Sequence, residues 1–171
     1  KFLPHLLGHE GSGVVLKVGM GVRKFKKGDK VVMHWRIGSG ISSNFPSYKN
    51  LYGKKIGGGL ITTLNQYALI SENRLTKISN KTPFDLAALM GCAASTALSL
   101  INNEAKIKIG ESVLIIGSGG VGLNLILASK LVSAYPIVVT DINHKKLKLA
   151  KKIGANQIIN FKNIKKLYKK F

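Results

Sequence analysis

The sequence predicts two unlike parts, a β-rich stretch followed by the opening of a doubly wound α/β sheet. Three observations carry that reading. Short β-branched runs bounded by glycine turns fill the first ~100 residues. After Thr82-Pro83 the pattern switches, and apolar strands alternate with helical segments in the order βαβαβ. Between the first strand and helix of that series lies the turn Gly117-Ser118-Gly119-Gly120-Val121-Gly122. The division falls at residues 1–94 and 95–171.

Each element has a local reason. Val14–Val18 and Lys30–His34 are β-branched runs punctuated by Gly19-Met20-Gly21 and Lys27-Gly28-Asp29. Leu60–Ile70 and Leu75–Ile78 supply two further strands. Ile37–Gly59 carries Gly, Ser, Asn and Pro without periodicity, and its length marks a functional loop or a missing module. Pro83–Ile101, rich in Ala and Leu, reads as one helix with Thr82 as cap and Pro83 at its first position. Ser112–Ile116 is a buried strand, Gly120–Val132 a helix, Pro136–Asp141 a strand and Asn143–Ile153 a helix. Gln157–Asn160 is a short strand and Lys162–Phe171 the start of a helix. With only three strands of that sheet present, the chain reads as a piece of a longer protein.

Composition narrows the class. The 171 residues are 45% hydrophobic, which a disordered chain would not be. One cysteine excludes an internal disulfide framework and a Cys-rich zinc module. No charged segment leads into an apolar stretch and a cleavage site, and the uncharged run Ser112–Ser129 is broken by glycines, so neither a secretory signal nor a membrane span is expected. A reduced, cytoplasmic setting fits. Net charge is +20, from 27 basic and 7 acidic residues. Only Arg23, Arg36 and Arg74 among the basic residues are Arg, the type that reads phosphates and bases in a fork geometry, and the lysines are scattered. The charge therefore reads as solvated surface and not as a nucleic-acid interface.

The Gly-rich turn matches GxGxxG in the context that gives the motif its meaning, after a strand and opening a helix. Gly117 permits the tight turn, Gly119 lets backbone approach a pyrophosphate, and Gly122 allows close helix–strand packing. Gly120 and Val121 begin the helix, whose free N–H groups suit an anion. Asp141 follows Gly122 by 19 residues at the end of the next strand, where an acid binds the adenosine ribose and repels a 2′-phosphate. That favours NAD over NADP. The competing role for Asp141 is to cap the following helix. Lys146, one turn on, either reaches the same ribose or lies on a solvated face.

A second signal is the run Gly8-His9-Glu10-Gly11-Ser12-Gly13. His9 can ligate zinc, and Glu10 can orient it or approach the metal. Cys92 lies 83 residues beyond His9 on the Ala-rich helix, and no spacing rule joins the two. Taken alone, His9 reads more readily as a core or surface residue, and Cys92 as a small buried apolar one.

Together these motifs resemble the zinc-dependent medium-chain alcohol dehydrogenase family, nearest in tone to its class III, formaldehyde dehydrogenase-like branch. Gly8-His9-Glu10-x-x-Gly13 with Gly19 is similar to the family's zinc signature. Gly28-Asp29-Lys30-Val31-Val32 is similar to its GDxV turn and strand, and Gly91-Cys92-Ala93-Ala94-Ser95-Thr96 to its GC…ST segment. Gly117–Gly122 and Asp141 resemble its coenzyme motif and ribose acid. The resemblance implies a partial GroES-like β domain followed by half of a Rossmann-like NAD domain. It implies one catalytic zinc held by His9 and Cys92, with Glu10 beside the metal, Thr96 against the nicotinamide and Trp35 on the alcohol pocket wall. For Trp35 the alternative is ordinary core packing.

The family's remaining zinc ligand, a Cys about twenty residues before its GHE motif, and a proton-relay hydroxyl would both precede Lys1. Its four-Cys structural zinc lobe would fall in Trp35–Gly59, which holds no Cys, so no structural zinc is expected. The implied reaction is hydride transfer between a zinc-bound alcohol or aldehyde and NAD(H) in a homo-oligomeric enzyme acting on small molecules, without nucleic-acid or membrane partners. The alternatives are a zinc-free quinone reductase-like enzyme, a basic binding protein and an inactive truncated product. The 171-residue piece alone is expected to be inactive.

Overall fold

Strand order follows from how short apolar runs pair around glycine turns. The computed structural model describes residues 3–163. Its chain divides into two units, residues 1–92 and 93–171, two residues before the boundary read from sequence.

In the first unit, β1 (Gly11–Val14), β2 (Lys30–Met33) and β5 (Leu75–Lys77) form an antiparallel sheet in the order β1-β2-β5. Gly11 pairs with Met33 and Val14 with Lys30. β1 starts three residues before the expected Val14–Val18 and ends at Val14, where the Gly28-Asp29 turn closes the ladder; Val15 still donates to the Asp29 carbonyl and accepts the Gly28 N–H. Gly28 takes φ +92°, and Asp29 there accepts the Lys26 N–H at 2.9 Å and pairs with Lys77 at 2.8 Å. Those contacts hold the Asp29 carboxyl below the usual carboxylate range, Lys77 contributing most.

Ile37–Gly59, expected as a functional loop or a missing module, carries regular structure. It contains a hairpin, β3 (Ser47–Lys49) with β4 (Lys55–Gly57), turned by Asn50, whose Oδ1 accepts the N–H groups of Tyr52 and Lys54. Leu60–Ile70, expected as a strand, forms none; Leu7 alone takes the N–H groups of both Thr63 and Leu64 at its carbonyl, which is a corner and not a ladder.

The helix expected over Pro83–Ile101 is broken. α1 (Phe84–Met90) ends at Gly91, and α2 (Ala93–Ser99) runs on into a π turn over Leu100–Glu104. Pro83, extended at ψ 142°, is the cap residue itself and gives no side-chain cap bond, so Thr82 is not the cap.

The second unit is a parallel sheet in the order β6 (Val113–Ile116), β7 (Ile137–Asp141), β8 (Gln157–Asn160), with α3 (Gly120–Leu131) and α4 (His144–Ile153) as its crossovers. Ile115, Ile126, Ile137, Val139, Leu147 and Ala150 form its core. Alternation along β6 explains the inward Ile115, and the 3.6-residue period of α4 explains Leu147 and Ala150. A second cluster joins Ala97 of α2, Ile101 of the π turn and Ala128 of α3, where the two alanines let the helices approach. From residue 164 the helix expected over Lys162–Phe171 lies outside the described residues; Phe161–Asn163 is a single 3₁₀ turn. Among the described residues no single helix is long and apolar enough to cross a membrane.

Candidate functional site

The first cluster of chemistry-bearing groups lies in the first unit, where a sheet register brings distant residues together. His9, Glu10 and Cys92 each offer one ligand atom, and those atoms lie within 4.8 Å of one another. His9 is exposed, while Glu10 and Cys92 are half-buried, so Cys92 is not the enclosed apolar residue of the alternative reading.

Glycines set this geometry. Gly11 follows Glu10 and pairs with Met33 of β2. The Met33 carbonyl in turn packs directly on Gly91, where a Cβ would collide with it. Gly91 carries Cys92 into place at the break between α1 and α2. On the other side, Gly8 takes φ +93°, and a Cβ there would strike Thr63 and Leu64. A continuous path, Glu10–Gly11–Met33–Gly91–Cys92, thus closes an 83-residue gap that no spacing in the sequence reveals.

A thiol, an imidazole and a carboxylate form a borderline-soft donor set suited to zinc. Ligand atoms around one tetrahedral zinc stand ~3.3–3.8 Å apart from their bond lengths, and the three atoms here lie within 4.8 Å of one another. The residues present fit such an ion.

The second cluster is the turn from β6 into α3. Gly117 adopts φ +92°, and Gly122 lies against the Gly117 carbonyl, leaving no room for a side chain. Cβ atoms on Gly119 or Gly120 would meet nothing in the chain, so that side of the turn is open. Gly119 heads α3 with no side-chain cap, and Val121 is part-exposed in the first turn.

Asp141 ends β7 beside this turn. Its Oδ2 accepts the backbone N–H of Ser118 at 2.7 Å and the Ser118 hydroxyl at 2.9 Å, and its Oδ1 accepts the Asn143 N–H at 2.7 Å. These bonds lower its pKa to about 2, the Ser118 N–H contributing most, with Lys146 a minor electrostatic contributor. Asp141 does not cap α4. That role belongs to Asn143, whose side chain accepts the N–H groups of Lys145 and Lys146. An open glycine turn, an uncapped helix start and an ionised acid at the neighbouring strand end fit a dinucleotide.

Residues 1–80 match the family model described as the alcohol dehydrogenase GroES-like domain. Just under half of the chain is therefore a GroES-like domain of the kind found in alcohol dehydrogenases. The structure is similar to an alcohol dehydrogenase zinc-binding domain protein from Burkholderia ambifaria, at 28% identity and TM-score 0.83, covering 94% of this chain and 50% of that one. It is similar to benzyl alcohol dehydrogenase from Acinetobacter calcoaceticus, at 29% identity and TM-score 0.78, covering 94% and 49%. It also resembles a quinone oxidoreductase from Pseudomonas syringae pv. Tomato, at 29% identity and TM-score 0.69, covering 92% and 42%. The chain spans about half the length of these solved relatives.

Within this GroES-like domain the cysteine-free loop is tied down by the 3₁₀ turn Glu72–Arg74 and its neighbour Ser71. The buried Glu72 carboxylate accepts backbone N–H groups from Arg23, Lys24 and Ile41 at 2.7–2.9 Å, which lower its pKa. Ser71 bonds Ser43, and the Asn73 carbonyl accepts the Gly38 N–H. Sequence reasoning passed over this turn, though Glu72 is one of only seven acids in the chain.

Trp35 is 54% exposed, so it is not core packing, and the Arg74 guanidinium stacks over its ring at 5.6 Å. His34 bonds the Arg36 carbonyl and the Thr76 hydroxyl, which anchors the backbone beside Trp35. Thr96 is exposed on α2 in the second unit, and Lys146 is exposed on α4.

Proposed function

We propose that the protein containing this chain is a zinc-dependent NAD(H) alcohol dehydrogenase acting on a small alcohol or aldehyde. The observation that carries this reading is the convergence of His9, Glu10 and Cys92. The chemistry a bound metal and dinucleotide would supply is acidification of an alcohol hydroxyl and acceptance of hydride from its carbon. Cys92 holds the metal as thiolate and His9 as neutral imidazole, while Glu10 steers the site from beside it. Asp141 binds the adenosine ribose, and the Gly117–Gly122 turn binds the pyrophosphate. Thr96 faces the nicotinamide, and Trp35 walls the alcohol pocket; both roles rest on the family resemblance.

Likeness to a quinone oxidoreductase shows that fold does not choose between zinc and zinc-free chemistry. The donor trio favours zinc, because a thiol, an imidazole and a carboxylate this close together form a donor set suited to that metal. The test is zinc content and NAD-linked alcohol oxidation in the intact protein and in Cys92→Ala. The unaltered protein is expected to hold zinc, and the variant to lose it along with more than roughly a hundredfold in activity. Full turnover without zinc would replace this reading with the reductase.

A further inference from the structure

Ser118 occupies the second position of the glycine turn, a place where the motif asks for no particular side chain. Here the side chain is 1% exposed, and its hydroxyl is spent on Asp141. Ser118 gives that carboxylate two donors, backbone N–H at 2.7 Å and Oγ–H at 2.9 Å, both on Oδ2. A carboxylate oxygen accepts about two hydrogen bonds, so Oδ2 is filled from within the chain. Oδ1 takes one, from the Asn143 N–H, and keeps an acceptor position open.

We propose that Ser118 is a positioning residue for dinucleotide recognition, its hydroxyl locking the Asp141 carboxylate so that Oδ1 faces the adenosine ribose. This rests on the reading of Asp141 as the ribose acid. The physical argument is preorganisation. Backbone N–H groups of Ser118 and Asn143 already hold one oxygen each, and the hydroxyl adds a bond that narrows the remaining side-chain freedom, which would otherwise be lost on binding at a cost in affinity. Ser118 meets that cost in the folded protein. Because Ser118 also follows Gly117, the lock ties the pyrophosphate turn and the ribose acid into one rigid unit. Ser118→Ala removes only the hydroxyl and keeps the backbone donor, so the turn survives.

The experiment is a binding titration of the intact protein with NADH and with its adenosine 2′-deoxy analogue, in Ser118→Ala, in Ser118→Thr and without substitution. Alongside it, NMR follows the Asp141 carboxyl through acid. Ser118→Ala is expected to bind NADH roughly tenfold more weakly and the 2′-deoxy analogue as before, with the Asp141 pKa raised above its value of about 2. Ser118→Thr, which keeps a hydroxyl, is expected to recover NADH affinity. Equal weakening toward both ligands would place the effect of Ser118 elsewhere in the turn and overturn the proposal, as would unchanged NADH binding in Ser118→Ala. If the unsubstituted protein fails to distinguish NADH from the 2′-deoxy analogue, the assignment of Asp141 is itself wrong, and the proposal falls with it.

Discussion

At Asp141 a single carboxylate ties a strand end to the glycine turn and, on the proposed reading, meets a ribose as well. Its pKa falls from 3.8 to about 2 on folding, so the folded state favours the ionised form. The stability it contributes is complete above pH 3.8 and is lost as the pH falls through about 2. Asp141→Asn is therefore expected to be less stable than the unsubstituted protein at neutral pH, the two acid-unfolding curves by circular dichroism converging near pH 2. Parallel curves throughout would mean that ionised Asp141 contributes nothing. Position made Asp141 legible in the sequence, since it stands at a strand end a fixed distance after a glycine turn. Its partner Ser118 was not legible, because any residue satisfies the motif there. His9 and Cys92 were legible as residue types only. The alternative of Trp35 in the core failed for a related reason: an aromatic beside a β-branched run reads as buried, yet Arg74 covers one face of the ring and solvent the other.

Among the elements, the break between α1 and α2 determines where Cys92 sits. The run Pro83–Ile101 has helical composition throughout, so propensity alone predicts one helix. Contact with another strand interrupts it, as Gly91 lies against the Met33 carbonyl. Gly91→Ala forces a methyl group into that carbonyl and is expected to cost about 1–3 kcal/mol while displacing Cys92 from His9. Thermal melting and zinc stoichiometry together check this. Gly13→Ala is the comparison, since a Cβ there meets open space, and it is expected to change stability by less than ~0.5 kcal/mol. The order of the parallel βαβαβ half was legible because short apolar runs alternate with helical segments, although Ser112–Ile116, expected as a buried strand, leaves Leu114 and Ile116 exposed on one face. The three-residue strands β3 and β4 escaped, as alternation over three residues has no period to detect. β1 was misplaced because two of its four residues are glycines.

For the whole molecule the dominant fact is charge. Twenty-seven basic residues face seven acidic ones, and Asp29 already spends its charge on Lys77 while Glu72 is consumed by backbone N–H groups. Lysines left in excess repel one another across a surface that salt can screen. Raising ionic strength from ~0.02 to ~0.3 M is expected to raise the melting temperature by a few degrees, and a fall would show that attractive pairs dominate. Charge was the property most plainly written in the sequence, and the pairing of the few acids the least, since it depends on which loops meet. The pairing of Gly11 with Met33 carries one last consequence. A strand slipped by one residue turns every side chain to the opposite face, and here it would also offer Gly91 the wrong carbonyl. His9 and Cys92 come together only when two unrelated events, strand alignment and helix interruption, have both gone right. Their meeting acts as a checksum on folding, so a chain with its first sheet misaligned has no site to fill.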